Sequence, residues 1–183
     1  MRAAGTFIAG RRGPAVAGAI LLSAFALAFA AGCGDSDTMD ATTARASAEV
    51  MVYFTDDAGA LVAETRTADA ATAEQALTAL AEGPDDDGLF PALPPGTVVR
   101  SVTQAGDGVV QVDLSAAFVD GYPSGGAAAE AAVLGPLVFT ATEAPGAEAV
   151  LITVDGQVPE PIGSAFDFSA PLTRQDVPAE VAP

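Results

Sequence analysis

The pattern of apolar and polar positions divides the chain into an apolar leader, a polar spacer and a longer segment of short alternating runs. Residues 15–32 are almost wholly apolar, and the next sixteen or so have neither a hydrophobic period nor apolar bulk. From Glu49 onward, runs rich in β-branched and aromatic residues appear. The pattern predicts four segments: a signal peptide over 1–32, a flexible linker over 33–48, a folded domain over 49–177 and a flexible tail over 178–183.

Several apolar runs in the domain predict strands. EVMVYF (49–54) and ALVAETRTA (60–68) flank Asp56-Asp57-Ala58-Gly59, which favours an opening hairpin. A second hairpin is predicted for VVRSVTQ (98–104) and VVQVDLS (109–115), where alternation predicts one buried face. AVLITVDG (149–156) is apolar on both alternations, as in a central strand, and FDFSAPLTR (166–174) is predicted to pair with a sheet edge.

Two segments have helical patterns. In TAEQALTALAEGP, Thr72 and Gln75 fit a capping box and Gly83-Pro84 supplies the stop. The second, GAAAEAAVLGPLVFTATEA (126–144), contains Gly135-Pro136, which predicts a kink or a late start to its second half. The apolar face of the first helix is predicted to consist of Ala73, Ala76, Leu77 and Leu80.

The only cysteine, Cys33, lies where the apolar leader meets the polar spacer. A basic start (Arg2, Arg11, Arg12) and a small-residue end are typical of a secretory signal. Ala30-Ala31-Gly32-Cys33 resembles the bacterial lipobox, with alanine at the usual leucine position, and this resemblance implies that the thiol receives a diacylglyceryl group. Two alternatives stay open: an uncleaved membrane helix, and a cysteine that is only a small apolar residue at its end.

Taken together, these elements predict an α+β fold. We expect a single compact domain with a mixed, mostly antiparallel sheet and two main helices, preceded by a lipoprotein signal peptide.

Charge and composition exclude several functions. Beyond Cys33 there are four arginines against 24 acids, so the exported part is not expected to bind nucleic acid. The chain has no histidine or lysine, which removes the commonest general base and the usual partner of a serine nucleophile. One cysteine permits no intrachain disulfide or cysteine metal cluster, and no cofactor is expected.

A series of short motifs resembles the sporulation and spore germination (GerMN) domain family. The motifs, in order, are Val52-Tyr53-Phe54, Leu80-Ala81-Glu82-Gly83-Pro84, Leu93-Pro94-Pro95-Gly96-Thr97, Val112-Asp113-Leu114-Ser115, Leu137-Val138-Phe139-Thr140-Ala141-Thr142-Glu143, Ile152-Thr153-Val154-Asp155-Gly156 and Pro171-Leu172-Thr173-Arg174. The chain departs from the family at Gly135-Pro136 and carries one copy where some relatives carry two. The resemblance implies an extracytoplasmic, non-catalytic domain, often found on lipoproteins, with no catalytic residues to transfer.

Acidic residues provide two candidate sites. Asp85, Asp86 and Asp87 form a solvated acidic loop or a weak calcium site, although their spacing does not match an EF-hand. Asp113 and Asp155 are candidates for the paired carboxylates of a glycosidase, but each also suits a structural role. Asp113-Leu114-Ser115 is expected to end a strand before a helical turn that Ser115 could cap, and Asp155-Gly156 is expected to form a turn. Three of the arginines beyond Cys33, Arg66, Arg100 and Arg174, are expected to pair with surface acids.

The sequence therefore predicts a binding or scaffolding module. We expect it to be non-catalytic, held by lipid at Cys33 to the outer face of the cytoplasmic membrane, and to act on an envelope protein partner, as in spore or envelope assembly. The alternative is a cell-wall hydrolase that uses Asp113 and Asp155.

Overall fold

A computed structural model of the chain describes residues 47–182. Its elements are, in order, β1 (Ala48–Thr55), β2 (Leu61–Ala68), α1 (Ala73–Glu82), β3 (Val99–Gln104), β4 (Val109–Leu114), α2 (Ala117–Asp120), α3 (Ala127–Ala141) and β5 (Ala149–Val154). Within this range no helix has both the length and the apolar character needed to cross a bilayer.

The α+β class is confirmed, with two main helices and mostly antiparallel pairing, but the strands form two sheets where one was expected. β1 pairs with β2, and the second sheet has the order β3-β4-β5. β3 and β4 are antiparallel, whereas β4 and β5 are parallel and are connected through α2 and α3. Parallel neighbours require such a crossover, which places α3 against the strands.

Both predicted hairpins are present, and local side chains explain their turns. In the first, Asp56 Oδ1 accepts hydrogen bonds from the N–H groups of Ala58 (3.0 Å) and Ala60 (2.8 Å). In the second, Gly106, Asp107 and Gly108 all have positive φ, which glycine and aspartate tolerate best.

β5 is the last strand of its sheet, not a central one as its apolar pattern predicted. Its outer side is nevertheless covered, because Val150 and Leu172 exchange two main-chain hydrogen bonds of 2.8 Å. The predicted edge pairing of 166–174 is thus confirmed at Leu172.

Helix α1 begins and ends where the sequence predicted. Thr72 Oγ1 accepts from the N–H of Gln75 (3.3 Å), and Gly83, with φ 93°, ends the helix. The predicted apolar face is buried: Ala73, Ala76, Leu77 and Leu80.

Replacing Thr72 with alanine is expected to lower the free energy of unfolding by about 1 kcal/mol, because an N–H in the first turn loses its acceptor. Urea unfolding followed by circular dichroism measures the change. Thr78→Ala is the matched control, since Thr78 is an exposed residue in the interior of α1 and alanine favours helix. Equal losses in both variants would contradict the capping role of Thr72.

Helix α3 is continuous through Gly135 and Pro136, so the expected late start of its second half is wrong. Proline at 136 cannot donate to the carbonyl of Ala132, four residues earlier. Ala132 is exposed, so water can take the place of that donor. Tertiary burial stabilises the second half of the helix, where every residue from Leu134 to Ala141 is buried.

The main core lies between the helices and the two sheets. It includes Phe54, Leu80, Val112, Phe118, Leu137 and Ile152, each at most 1% exposed. The alternation predicted for β4 is confirmed, since Val110, Val112 and Leu114 are buried. Ser115 does not cap α2, because its Oγ accepts instead from the N–H of Val98 (3.0 Å) and the residue before the helix is Ala116.

The segment after Val177 contacts the first hairpin, although the sequence predicted a flexible tail. The N–H of Leu61 donates to the carbonyl of Glu180 (2.6 Å), and the N–H of Ala182 donates to the carbonyl of Leu61 (2.7 Å). Residues 180–182 therefore bridge to the outer side of β2.

Candidate functional site

The two carboxylates considered for catalysis support a turn. Asp113 Oδ1 accepts from Thr153 Oγ1 (2.9 Å) and from the N–H of Gly156 (2.7 Å). Asp155, with φ 50°, is the first residue of the predicted Asp-Gly turn, and its side chain pairs with Arg100 at 2.7 Å. Neither carboxylate lines any of four cavities of about 260 to 450 Å³ that open on the described part of the surface.

The acidic loop at 85–87 is organised by an arginine and by its own main chain. Arg66 pairs with Asp85 (3.0 Å) and with Glu64, whose carboxylate accepts the N–H groups of Asp85 (3.2 Å) and Asp86 (3.0 Å). Partial burial acts to raise the pKa of Glu64, but these donors bring it below its ordinary value. Within residues 47–182 no three acids come together in an arrangement suited to a metal ion.

Arg174 joins the C-terminal segment to the end of α3. Its guanidinium donates to Thr142 Oγ1 (2.7 Å) and to the carbonyl of Phe139 (3.0 Å), and lies 4.8 Å from the centre of the Phe139 ring. α3 has no basic residue in its own last turn, so Arg174 places a positive charge beside carbonyls that lack helical partners.

Glu143 connects Arg174 to β1. Its Oε1 accepts from Arg174 (2.6 Å) and from the Tyr53 hydroxyl (2.8 Å). Partial burial acts to raise the pKa of Glu143, but hydrogen bonds from these two donors bring it below its ordinary value. The expectation that the three arginines pair with acids is confirmed, but Arg66 and Arg174 also stack on aromatic rings inside the fold.

A buried carboxylate, Glu130, was missed by the sequence analysis. It is 1% exposed and accepts from the N–H of Ser164 (3.0 Å), the Ser164 hydroxyl (3.3 Å) and the N–H of Ala165 (3.2 Å). These hydrogen bonds, led by that from the Ser164 N–H, hold its pKa below the ordinary value against the opposing effect of burial. A side chain at Gly163 would collide with this carboxylate.

A groove lies against residues 49–51 of β1 and is also lined by residues of β2, α1 and the segment that follows α3. We call it the β1 groove; its volume is about 260 Å³ and it is lined by Glu49, Val50, Met51, Thr65, Ala71, Thr72, Ala76, Glu143, Ala144 and Pro145. Met51 is 40% exposed within it, although it is a large apolar residue. The groove combines apolar side chains, two carboxylates and a strand edge, a composition suited to a peptide.

Two features could have indicated Glu130 and the β1 groove from sequence. Glu130 is the only charged residue of α3, and a lone acid among apolar helix positions is unusual. Glu49 and Met51 alternate with Val50 and Val52 as in a half-buried strand, but which edge of the strand stays open is a tertiary property. Cys33 lies outside the described residues.

These contacts define a small α+β domain in which, within residues 47–182, β1 has a strand neighbour on one side only. A family profile described as Germane, sporulation and spore germination, matches residues 51–160, which is more than half of the chain. The chain belongs to this family. The search of curated proteins found no match.

Solved structures agree with this assignment. The first GerMN domain of the sporulation protein GerM from Bacillus subtilis is 26% identical, with a TM-score of 0.57 over 70% of this chain and 98% of that one. A suspected lipoprotein from Clostridium perfringens is 27% identical, with a TM-score of 0.51 over 72% of this chain and 90% of that one.

The tandem GerMN domains of B. subtilis GerM share the fold with this chain. The match has 20% identity and a TM-score of 0.56, and covers 82% of this chain. This chain spans about half the length of that tandem structure, 51%.

Proposed function

We propose that this protein is a lipid-anchored, non-catalytic binding module on the outer face of the cytoplasmic membrane, where it holds an envelope protein partner. Cys33 is the attachment point and residues 34–46 connect it to the domain. Family membership supports a role in sporulation or in building a related envelope assembly. The likeness to a suspected lipoprotein supports the anchor.

The open strand edge beside the β1 groove is the observation that carries this proposal. A binding module needs an exposed surface that another chain can complete, and an unpaired edge with a groove provides one. A hydrolase needs carboxylates that face a shared cleft. Asp113 and Asp155 instead hold a turn and an exposed ion pair, so the hydrolase alternative has no support in the geometry.

Cys33→Ala tests the anchor. We expect the parent protein to partition into the membrane fraction and the detergent phase, and the variant to lose most of that partitioning, because two acyl chains are what make attachment stable. Fractionation and incorporation of a labelled fatty acid measure the change. A variant that remains in the membrane as firmly as the parent would favour an uncleaved helix.

Partner capture tests the binding role. Crosslinking in intact cells followed by detergent extraction is expected to recover a defined envelope protein with the parent chain. Steady, saturable turnover of a cell-wall polymer by the purified protein would overturn the non-catalytic assignment.

A further inference from the structure

We propose that the outer edge of β1 at Glu49 and Met51 takes up an extended, lysine- or arginine-bearing segment of a partner protein, which adds to the sheet as a short third strand and seats side chains in the β1 groove. This inference rests on the proposed binding function and goes further, because it names the surface and the chemistry of the partner.

Hydrogen bonds on either side of the groove show which way the edge points. The N–H of Tyr53 donates away from β2 to Thr140 Oγ1 (2.9 Å), and the carbonyl of Thr55 accepts from the N–H of Phe90 (2.9 Å), also on the side away from β2. Alternate residues of an antiparallel strand direct both main-chain groups the same way. The N–H and carbonyl groups of Met51 and Glu49 therefore face outward as well.

No residue of the described range pairs with that part of the edge. β1 has one strand neighbour, and the main-chain bridges outside the named strands do not involve Glu49 or Met51. Thr140 and Phe90 occupy the edge from Tyr53 onward, so an added strand would lie beside 49–51 and be about three to five residues long. The site suits a short segment of a partner.

Charge determines which partner fits. Glu49 and Glu143 both line the groove, and the hydrogen bonds of Glu143 with residues of the described range use Oε1, leaving Oε2 for a ligand. The described range contains 21 acids and three arginines, and each of those arginines is in an ion pair. A second copy of this chain would bring acid against acid, whereas a basic segment meets complementary charge.

Fluorescence anisotropy with two labelled peptides tests the proposal on the full chain in detergent micelles. The basic probe is Lys-Val-Lys-Val-Lys amide, and the acidic probe is Glu-Val-Glu-Val-Glu amide. We expect saturable binding of the basic probe, weakened severalfold by 0.5 M salt, and no binding of the acidic probe. Equal binding of both probes, or no saturable binding of the basic one, would overturn the proposal.

Proline substitutions separate the edge from general charge attraction. Met51→Pro removes an outward N–H without breaking the hydrogen-bond ladder to β2. This substitution is expected to weaken binding of the basic probe about tenfold. Ala63→Pro is the matched control, because Ala63 faces Tyr53 in the register and its N–H points outward on the opposite edge. We expect the affinity of the Ala63→Pro variant for the basic probe to lie within twofold of that of the parent. If both variants weaken binding of the basic probe equally, or if neither variant weakens it, the assignment of the binding site to the outer edge of β1 is overturned.

Hydrogen exchange on the unsubstituted chain gives an independent readout that does not depend on how a proline variant folds. Saturation with the basic probe is expected to slow exchange of the Met51 amide at least tenfold and to leave the Ala63 amide unchanged. No change at Met51 would contradict the proposal. Dimers in sedimentation experiments that Met51→Pro abolishes would assign the edge to a second copy and likewise overturn it.

Partner capture by Met51→Pro distinguishes failure of the edge proposal from failure of the proposed binding function. If Met51→Pro captures the envelope partner as well as the parent does, the protein remains a binding module and the edge is not its binding surface. If neither chain captures a partner, the binding function itself fails.

Discussion

Replacing Glu130 with alanine is expected to lower the free energy of unfolding by about 3 kcal/mol. The change leaves a cavity in a site that is 1% exposed and removes the acceptor of three hydrogen bonds from Ser164 and Ala165. Loss of these bonds should also release the loop around Gly163, which packs so closely against the Glu130 carboxylate that a side chain at 163 would collide with it. Urea unfolding measures the first effect, and faster proteolysis within 160–166 measures the second.

The dependence on pH follows from the direction of the Glu130 pKa shift. The pKa is lowered in the fold from an ordinary value of 4.5, so the folded state binds fewer protons than the unfolded state near that pH. Its stabilisation is complete above the ordinary value and is lost as pH falls through the lower folded value. Glu130→Gln is expected to reduce the loss of stability between about pH 5 and pH 3. If the variant loses as much stability between these pH values as the parent does, Glu130 is not the source of the pH dependence.

Replacing Arg174 with alanine is expected to lower the free energy of unfolding by about 2 kcal/mol. Its hydrogen bonds to Thr142 and to the carbonyl of Phe139 join the C-terminal segment to α3, and its guanidinium covers the Phe139 ring. The ion pair with Glu143 adds little, since both side chains are about one-third exposed. Thermal unfolding monitored by tyrosine fluorescence measures the loss, because Tyr53 lies in the same cluster.

Two control variants separate the structural role of Arg174 from its charge. Arg174→Lys keeps the charge but not the planar group, so it should recover less than half of the stability. Arg100→Ala removes a guanidinium that is half exposed and that, among residues 47–182, forms an ion pair with Asp155 alone, and this change is expected to alter the free energy of unfolding by less than about 0.5 kcal/mol. If Arg100→Ala lowers the free energy of unfolding as much as Arg174→Ala does, the packing role proposed for Arg174 is contradicted.

Local patterns were sufficient for much of the fold. The Thr72 cap, the Gly83 stop and the turn at Asp56 each depend on residues within a few positions of one another. Hydrophobic alternation in β4 likewise identified its buried face, because side chains in a strand alternate whatever the strand packs against.

Non-local packing decided the features that were missed. The continuity of α3 through Pro136 depends on burial of its second half, and the number of sheets depends on which strands meet. The pairing of 180–182 with Leu61 joins positions more than a hundred residues apart. No local pattern encodes such contacts.

The sequence alone determined the charge of this protein, the limits on its chemistry, the positions of most of its helices and strands, and the likeness to its family. These are properties of composition and of neighbouring residues. Only the tertiary structure decided that Glu130 is buried against a loop, that Arg174 completes α3 and that no strand of residues 47–182 pairs with the outer edge of β1 at Glu49 and Met51. Each of these depends on long-range contacts, whose energies are set by burial and geometry and not by position along the chain.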